Sequence, residues 1–295
     1  MSPGTDRSPV VPALRSARAV VFDTDGVLTD SARVHAAAWK EAFDAWLAAL
    51  PPDTVATAAA TDDGVPTTTG TTGTTDDGAA TSATDATARR PFDAAEDYRR
   101  YVDGRSRLDG AAAFLAARGL PADRDTVEAV AADKERRFTE RLRARPVDAY
   151  PGSVRLLRAL RGAGVPMAAA SASRHAREVL AGAGLLDLFD ALVDGVEAAR
   201  LGLPGKPHPA LFLEAARRLG VPPERCALVE DALAGVEAGR RGGFGLVVGV
   251  DRAAGSGSAG NGAGTPTARA LRRHGADLVV ADLAELLAGW EGEPS

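Results

Sequence analysis

The chain of 295 residues is 45% hydrophobic and 25% charged, so it is long enough to bury a core without disulfides or structural metals. Its net charge of -5 disfavours a nucleic-acid partner, and no apolar run approaches the roughly 20 residues of a membrane span. The single cysteine, Cys226, excludes an internal disulfide and favours a reducing, cytoplasmic location. We expect Cys226 to be a small buried strand residue rather than a nucleophile.

The apolar pattern predicts strands and helices in alternation. An apolar run at 19–22 is typical of a buried parallel strand and ends at Asp23, and a helix is predicted from Ser31 to about residue 49. Further helices are predicted at 94–102, 108–118, 125–143, 153–161, near 175, 209–219 and 233–240. Further strands are predicted at 165–170, 191–193, 226–229, 244–248 and 277–280. This order indicates an α/β fold with a parallel sheet.

Two segments break the alternation. Residues 51–88 contain 13 Thr and six Asp but no Lys or Arg, so this segment carries a net charge of -6. Since it offers few apolar side chains larger than Ala, it cannot bury enough surface to offset the entropy of ordering, and we predict a disordered insertion. Residues 253–267 are rich in Gly, Ser and Ala, which predicts a flexible loop.

A second domain is predicted from the long interval without strands. After the strand at 19–22 the next strand begins near residue 165, and only helices are predicted between them. A helical domain inserted after the first strand explains this interval, at the sheet edge where ligands bind in such folds. We assign residues 17–30 and 148–290 to an α/β core and residues 31–147 to an inserted helical cap domain.

Polar residues that can carry chemistry follow the predicted strands or lie in one loop. They are Asp23, Asp25, Ser171, Lys206, Glu230 and Asp231. Because the carboxyl ends of parallel strands meet at one edge of a sheet, we expect these groups to lie close together. Carboxylates are the ligands that Mg²⁺ prefers, and two carboxylates can divide the work of nucleophile and proton donor. A helix N-cap is a second, compatible interpretation of the Glu-Asp pair.

The segments around these residues resemble a known family. The sequence from Asp23 to Asp30, DTDGVLTD, is similar to the first motif of the haloacid dehalogenase superfamily of phosphotransferases. Ser171, Lys206 in its Gly-Lys-Pro setting and residues 229–239 resemble the other three motifs, in the same order. Within the superfamily the chain resembles the β-phosphoglucomutase-like subfamily. The resemblance implies a Rossmann-like parallel-sheet core with an inserted α-helical cap domain.

The resemblance also implies a role for each motif residue. Asp23 would be the nucleophile and Asp25 the general acid and base. Lys206 would neutralise the transferring phosphoryl group, and Ser171 would donate a hydrogen bond to it. Mg²⁺ is the implied cofactor, held by Asp23, the backbone carbonyl of Asp25, Glu230 and Asp231.

Substrate-binding residues are implied mainly in the cap. They are Ser31, His35, Trp39, Arg107 and Lys134, together with Arg174, which follows the second motif. Spacing alone favours Arg107 over Arg105. The chain departs from the family at Ala210, where the family has an acidic residue, and in the Thr-rich insertion. Neither departure removes a reacting group.

Three functions are compatible with the sequence. The first is a mutase that interconverts β-glucose 1-phosphate and glucose 6-phosphate through a bisphosphate. The second is a phosphatase of small phosphorylated metabolites, and the third is a catalytically silent binding module. The cap residues favour the mutase, because an aspartyl phosphate must be kept from water while the sugar turns around. We expect a phosphorylated sugar as substrate, no nucleic-acid or membrane partner, and a monomer.

Overall fold

The computed structural model describes residue 14 and residues 16–51, 88–252 and 265–287. Their contacts divide them into two compact units, which are described separately. The first unit contains the described residues up to 34, residues 103–107 and those from 141 onward, and the second contains the described residues of 35–102 and 108–140. Residues 31–34, 103–107 and 141–147 were predicted to belong to the cap, whereas by their contacts they belong to the first unit.

A six-stranded sheet forms the centre of the first unit. Its strands are β1 (Ala19–Phe22), β2 (Met167–Ala170), β3 (Ala191–Val193), β4 (Cys226–Glu230), β5 (Leu246–Val250) and β6 (Leu278–Val280). They lie in the order β3-β2-β1-β4-β5-β6, and every neighbouring pair is parallel. The predicted α/β fold with a parallel sheet is therefore confirmed.

Both faces of this sheet are buried. Successive side chains of a strand point to opposite faces, so Val20 and Phe22 pack in one hydrophobic cluster and Ala19 and Val21 in another. Burial on both sides explains why the strands are continuous apolar runs rather than alternating ones. Cys226 is buried at the start of β4, as predicted, and this burial raises the pKa of its thiol to about 11.

The α-helices, in chain order, are α1 (Ser31–Ala49), α2 (Arg107–Ala117), α3 (Arg124–Ala144), α4 (Pro151–Gly162), α5 (Ala176–Gly182), α6 (Gly195–Arg200), α7 (Ala210–Leu219), α8 (Leu233–Arg241) and α9 (Pro266–His274). Shorter helical turns cover Tyr98–Val102, Leu186–Leu188, Pro223–Arg225 and Leu283–Leu286. The turn at Tyr98–Val102 is a π-helix and replaces much of the α-helix predicted at 94–102. Among the described residues, no helix is both long and apolar enough to cross a membrane.

Two helices were not predicted. α6 has only six residues, too few to show a helical period, and it begins at Asp194, whose Oδ1 accepts hydrogen bonds from the N–H groups of Val196 and Glu197. α9 begins after Thr265, whose hydroxyl accepts a hydrogen bond from the N–H of Ala268. The predicted flexible loop at 253–267 is wrong for its last two residues, which lie in α9, and 253–264 lie outside the described residues.

The second unit is built on an aromatic cluster. Phe43 of α1 stacks on Phe92 with ring centroids 5.0 Å apart, and it contacts Phe114 of α2 at 4.0 Å. Residues 52–87, most of the predicted disordered insertion, lie outside the described residues. Ala88 was assigned to that insertion but is buried against this cluster. Arg89 donates hydrogen bonds to the carbonyls of Leu50, at 3.1 Å, and of Pro51.

Candidate active site

The predicted motif residues of the first unit meet at the carboxyl edge of the sheet. Asp23 continues the ladder one residue beyond β1, since its N–H donates to the carbonyl of Val229 in β4 at 2.9 Å. Ser171 continues β2 in the same way, with its N–H on the carbonyl of Val193 at 2.9 Å. The register of the parallel strands therefore fixes the backbone positions from which the side chains of Asp23 and Ser171 extend.

Lys206 joins two of the buried carboxylates. Its Nζ donates to Asp23 Oδ1 and to Glu230 Oε1, each at 2.6 Å, and its side chain is almost completely buried. Burial alone would lower the pKa of Lys206, but the two carboxylates outweigh it and raise the pKa. Lys206 is therefore a fixed cation at this edge of the sheet.

Asp23 has a distinct partner for each oxygen. Oδ1 accepts from Lys206, and Oδ2 accepts from the N–H of Asp25 at 2.9 Å. Burial is the main reason that the pKa of Asp23 is raised to about 8, with Glu230 and Asp25 adding to the rise and Lys206 opposing it. The carboxylate is thus oriented, but its negative charge is only partly compensated by the protein.

Hydroxyl groups surround the carboxylate of Asp25. Ser31 donates to Oδ1, while Ser171 donates to Oδ2 at 3.1 Å and Thr24 to Oδ2 at 3.3 Å. The sequence analysis assigned Ser31 to the substrate and Ser171 to the phosphoryl group, and here both hold Asp25. The two aspartates therefore have different surroundings: Asp23 faces an ammonium group and Asp25 faces hydroxyls.

Three acidic residues could hold a metal ion. Asp23, Glu230 and Asp231 each present a carboxylate oxygen, and these atoms lie within 4.8 Å of one another. The pKa of Asp231 is raised well above its usual value, first by burial and then by the charges of Asp103, Glu230 and Asp23. Buried oxygen donors that repel each other fit a hard divalent cation such as Mg²⁺. Glu230 also orders the turn after β4, because its Oε2 accepts from the N–H of Ala232.

Two glycines leave the space that these carboxylates occupy. Gly26 has a φ of 81°, and a Cβ there would lie 1.8 Å from Oδ2 of Asp231. A Cβ on Gly235 in α8 would lie 1.7 Å from Oε1 of Glu230. Both positions therefore need glycine, because any side chain would displace an acidic group of the site.

Asp103 is a charged residue near this site that the sequence analysis missed. Burial raises its pKa to about 7, with Glu230 and Asp25 adding to the rise and Lys206 opposing it. A Cβ on the next residue, Gly104, would lie 2.8 Å from the Cβ of Ala232, which places this turn against the residues after β4. The Asp-Gly dipeptide, which is typical of a turn, is the sequence signal at this position, whereas the prediction for this stretch concerned only its arginines.

Three of the predicted substrate-binding residues come together in the second unit. Lys134 Nζ lies 2.9 Å from His35 Nδ1, 5.6 Å from the ring centroid of Trp39 and 4.7 Å from that of Phe138. The rings of His35 and Phe138 are stacked with centroids 4.0 Å apart. His35, Trp39 and Lys134 thus belong to one contact cluster within this unit.

Two predicted residues do not join either cluster. Arg107 is the first residue of α2 and is half-buried. Arg174 is exposed and lines a cavity of about 670 Å³, together with Arg177, Glu178, Ala181, Asp194, Val196, Glu197 and Arg218. Asp23 and the other motif carboxylates are not among the residues that line it, so the substrate roles of Arg107 and Arg174 stay predictions.

The sequence matches one protein family over most of its length. The family of haloacid dehalogenase-like hydrolases matches residues 17–243, and a second, HAD-hydrolase-like family matches residues 203–286. A protein of Mycobacterium bovis named beta-phosphoglucomutase is 38% identical over 292 residues, covering 95% of each chain. An uncharacterized glycosyl hydrolase of Mycobacterium tuberculosis is 34% identical over 279 residues, which is 92% of this chain but 18% of that protein.

Solved structures show the same fold. The crystal structure of a beta-phosphoglucomutase from Clostridium difficile matches with a TM-score of 0.59 and 22% identity, covering 92% of this chain and 93% of the other. At this identity the likeness concerns the fold alone.

Proposed function

Because the chain belongs to the haloacid dehalogenase-like hydrolase family and is an enzyme of the phosphotransferase and hydrolase type, we propose that it interconverts β-glucose 1-phosphate and glucose 6-phosphate. The observation that carries this choice is the match to the Mycobacterium bovis relative, which extends over 95% of both chains. The two aspartates in different surroundings support the same reaction, because phosphoryl transfer in both directions needs a nucleophile and a separate proton carrier.

Asp23 is the proposed nucleophile. Lys206 on Oδ1 and the N–H of Asp25 on Oδ2 fix the direction of its carboxylate, so that either oxygen needs little reorientation to attack phosphorus. The attack forms an aspartyl phosphate and releases the sugar oxygen. Lys206 is placed to stabilise the negative charge on the transferring group, because it stays protonated throughout.

Mg²⁺ is the proposed cofactor, held by Asp23 and Asp231, with Glu230 and the backbone carbonyl of Asp25 as the further predicted ligands. When bound, it supplies positive charge that lets the carboxylates ionise together and offsets the charge of the phosphoryl group. Glu230 has Lys206 on one oxygen and the N–H of Ala232 on the other, so it also keeps the lysine in place.

Asp25 is the proposed general acid and base. It follows the nucleophile by two residues, and the hydroxyls of Ser31 and Ser171 restrain its carboxyl group from both sides. A carboxyl group held in this way can protonate the departing sugar oxygen and later accept the proton of the attacking hydroxyl. The hydroxyls set its geometry without adding charge beside it.

Within the second unit, Lys134 and its neighbours are the proposed contacts of a sugar phosphate. Lys134 is a buried cation bounded by His35 and by aromatic rings, a setting that suits a sugar phosphate. Arg107 is the predicted partner of the phosphate that does not react. Cytoplasmic location and a monomeric state stay predictions.

A product assay tests the proposal. The chain is given β-glucose 1-phosphate, Mg²⁺ and a trace of the bisphosphate, and glucose 6-phosphate and free phosphate are measured together. A mutase forms glucose 6-phosphate in large excess over phosphate, does so only from the β-anomer, and loses both activities in the Asp23→Asn variant. The hydrolase character of the family favours a phosphatase as the second candidate, and free phosphate as the main product would establish it.

A further inference from the structure

Arg252 makes a dense set of contacts with the turn that follows Asp25. Its Nε donates to the carbonyl of Gly26 at 3.2 Å, and its Nη2 donates to the carbonyl of Val27 at 2.7 Å. Nη2 also donates to Ser153 Oγ at 2.9 Å, and Nη1 donates to Asp282 Oδ2 at 2.5 Å. One guanidinium group thus joins the catalytic turn, the start of α4 and the residues after β6.

The surroundings of Arg252 fix its position. Its guanidinium carbon lies 3.9 Å from the ring centroid of Tyr150. Tyr150 in turn binds the same stretch of chain, because its N–H donates to the carbonyl of Leu28 at 3.0 Å and its hydroxyl donates to Asp30 at 3.2 Å. Ser153 Oγ donates to the carbonyl of Val27 at 2.7 Å and is completely buried. The backbone of residues 26–30 is therefore held from several directions.

This network bears on Asp25 through the backbone. Gly26 and Val27 are the two residues directly after Asp25, and a glycine with a φ of 81° offers little stiffness of its own. Arginine suits the task because its planar group presents several N–H donors in a rigid fork, which a lysine cannot reproduce. A backbone displaced by about 1 Å would move the Asp25 carboxyl group away from the reacting oxygen.

We propose that Arg252 is a positioning residue: by binding the carbonyls of Gly26 and Val27 it holds Asp25 in the geometry for proton transfer. The role of Asp25 rests on the proposed function, whereas the coupling of Arg252 to Asp25 can be measured independently of it. Arg252 itself touches none of the reacting groups among the residues that the structure describes.

The test is a double-mutant cycle with Arg252→Ala and Asp25→Asn. In the otherwise unchanged chain, Arg252→Ala should lower kcat with β-glucose 1-phosphate roughly 10- to 100-fold and leave KM within about twofold. In the Asp25→Asn background the same change should cost less than about twofold, because there is no proton carrier left to position. Nitrophenyl phosphate, whose leaving group needs little protonation, should be much less affected than the sugar phosphate by Arg252→Ala.

Two further variants separate positioning from folding. Arg240→Ala is the matched control, since Arg240, like Arg252, donates two hydrogen bonds to backbone carbonyl oxygen, both to that of Gly275, and pairs with an aspartate, Asp277. It should lower the melting temperature and leave kcat unchanged. Arg252→Lys keeps the positive charge but lacks the planar fork of N–H donors, so its kcat should fall nearly as much as that of Arg252→Ala. If Arg252→Ala is too unstable to assay, Arg252→Lys alone tests the role of the fork.

The outcomes are decisive in each direction. Losses that multiply in the double variant, or an Arg252→Lys variant with full kcat, would overturn the proposal. If instead Asp25→Asn slows both substrates equally, the acid role of Asp25 fails, and the cycle still decides whether Arg252 acts through Asp25. Turnover is counted as isomer plus free phosphate, so the result does not depend on which product dominates.

Discussion

Each of the two units buries a lysine, and the two lysines have opposite surroundings. Lys206 in the first unit is 3% exposed and lies 2.6 Å from an oxygen of Asp23 and of Glu230. Lys134 in the second unit is 4% exposed and contacts a histidine nitrogen and two aromatic rings, with the carboxylate of Glu135 at 4.0 Å. Two carboxylates thus lie 2.6 Å from the first ammonium group, whereas the carboxylate of Glu135 lies 4.0 Å from the second, which also contacts an imidazole and two ring faces.

The difference indicates two ways to use a buried cation. A lysine between carboxylates is held in one protonation state and one position. This suits a group that must stabilise the transferring phosphoryl group from the same place in every turnover. A lysine over aromatic rings keeps much of its attraction for an incoming anion, because ring faces compensate a charge less than carboxylates do. On this comparison we expect the first lysine to serve chemistry and the second to serve binding.

The largest expected effect is that of removing the nucleophile. Asp23→Asn keeps an acceptor for Lys206 but cannot form an acyl phosphate, so turnover should fall below about 1% of the original value.

Because burial and neighbouring carboxylates raise the pKa of Asp23 to about 8, the ionised form of Asp23 destabilises the folded chain. At pH 9 without Mg²⁺ the Asp23→Asn variant should therefore melt at a higher temperature than the original chain. Retained turnover would refute the assignment of the nucleophile, and a lower melting temperature would refute the electrostatic argument.

Replacing each lysine by methionine tests the comparison directly. Lys206→Met leaves the buried carboxyl groups of Asp23 and Glu230 without their shared cation. The unfolding free energy should therefore fall by about 3 kcal/mol or more, and kcat by at least roughly 10²-fold. Lys134→Met puts an apolar chain among aromatic rings, so stability should change by less than about 1.5 kcal/mol while KM rises roughly tenfold. Thermal unfolding and steady-state kinetics measure both variants. A pair of variants with the same profile would show that the two environments are equivalent.

A smaller effect is expected from pH. The pKa of Asp23, which burial raises to about 8, means that the metal-free site holds a proton on this group near pH 7, and burial raises the pKa of Asp231 as well. Mg²⁺ needs the ionised carboxylates, so its affinity should rise as pH increases from 6 to about 8 and then level off. Calorimetry in buffers of different ionisation enthalpy should record proton release on binding. An affinity that is constant over this range would contradict the raised pKa values.

The stability of the metal-free fold should change with pH in the opposite direction to the affinity for Mg²⁺. Without Mg²⁺ the folded chain keeps a proton on Asp23 that the unfolded chain releases above about pH 4. The contribution of Asp23 to stability should therefore decrease as pH rises from about 4 to 8. Comparing melting temperatures of the original chain and Asp23→Asn over this range isolates that contribution, and parallel curves would argue against it.

The smallest effect is expected from deleting residues 54–87. The side chain of Arg89 donates to the carbonyls of Leu50 and Pro51, so the described residues on either side of this segment lie within reach of one arginine side chain, and a short linker can join them. The segment has few apolar side chains, and halving a flexible loop changes its closure free energy by only about 0.6 kcal/mol. We expect kcat/KM and melting temperature to change little. A tenfold loss of kcat/KM, or a melting temperature lower by more than about 5 °C, would show that the segment contributes to the second unit.

Sequence patterns were sufficient to place several of the proposed reacting groups together, because these lie at strand ends, where the apolar run stops and the fold fixes the direction. Asp23 and Ser171 are examples, since the parallel ladder continues through both. Asp103 and Arg252 were missed because each acts from a turn with no period of its own. Arg252 also lies directly before a stretch rich in Gly and Ser, where composition indicated only a flexible loop. Contacts of this kind depend on tertiary structure and leave no local pattern.

The spaces left open at Gly26 and Gly235 have a consequence for comparing genomes. A gene duplicate can keep both aspartates and the lysine and still lose function through Gly26→Ala or Gly235→Ala, since the added methyl group would occupy the position of an acidic oxygen. Such a copy would look intact to any search based on reacting residues alone. In a duplicate of this chain, these two glycines are therefore positions to inspect beside the reacting residues.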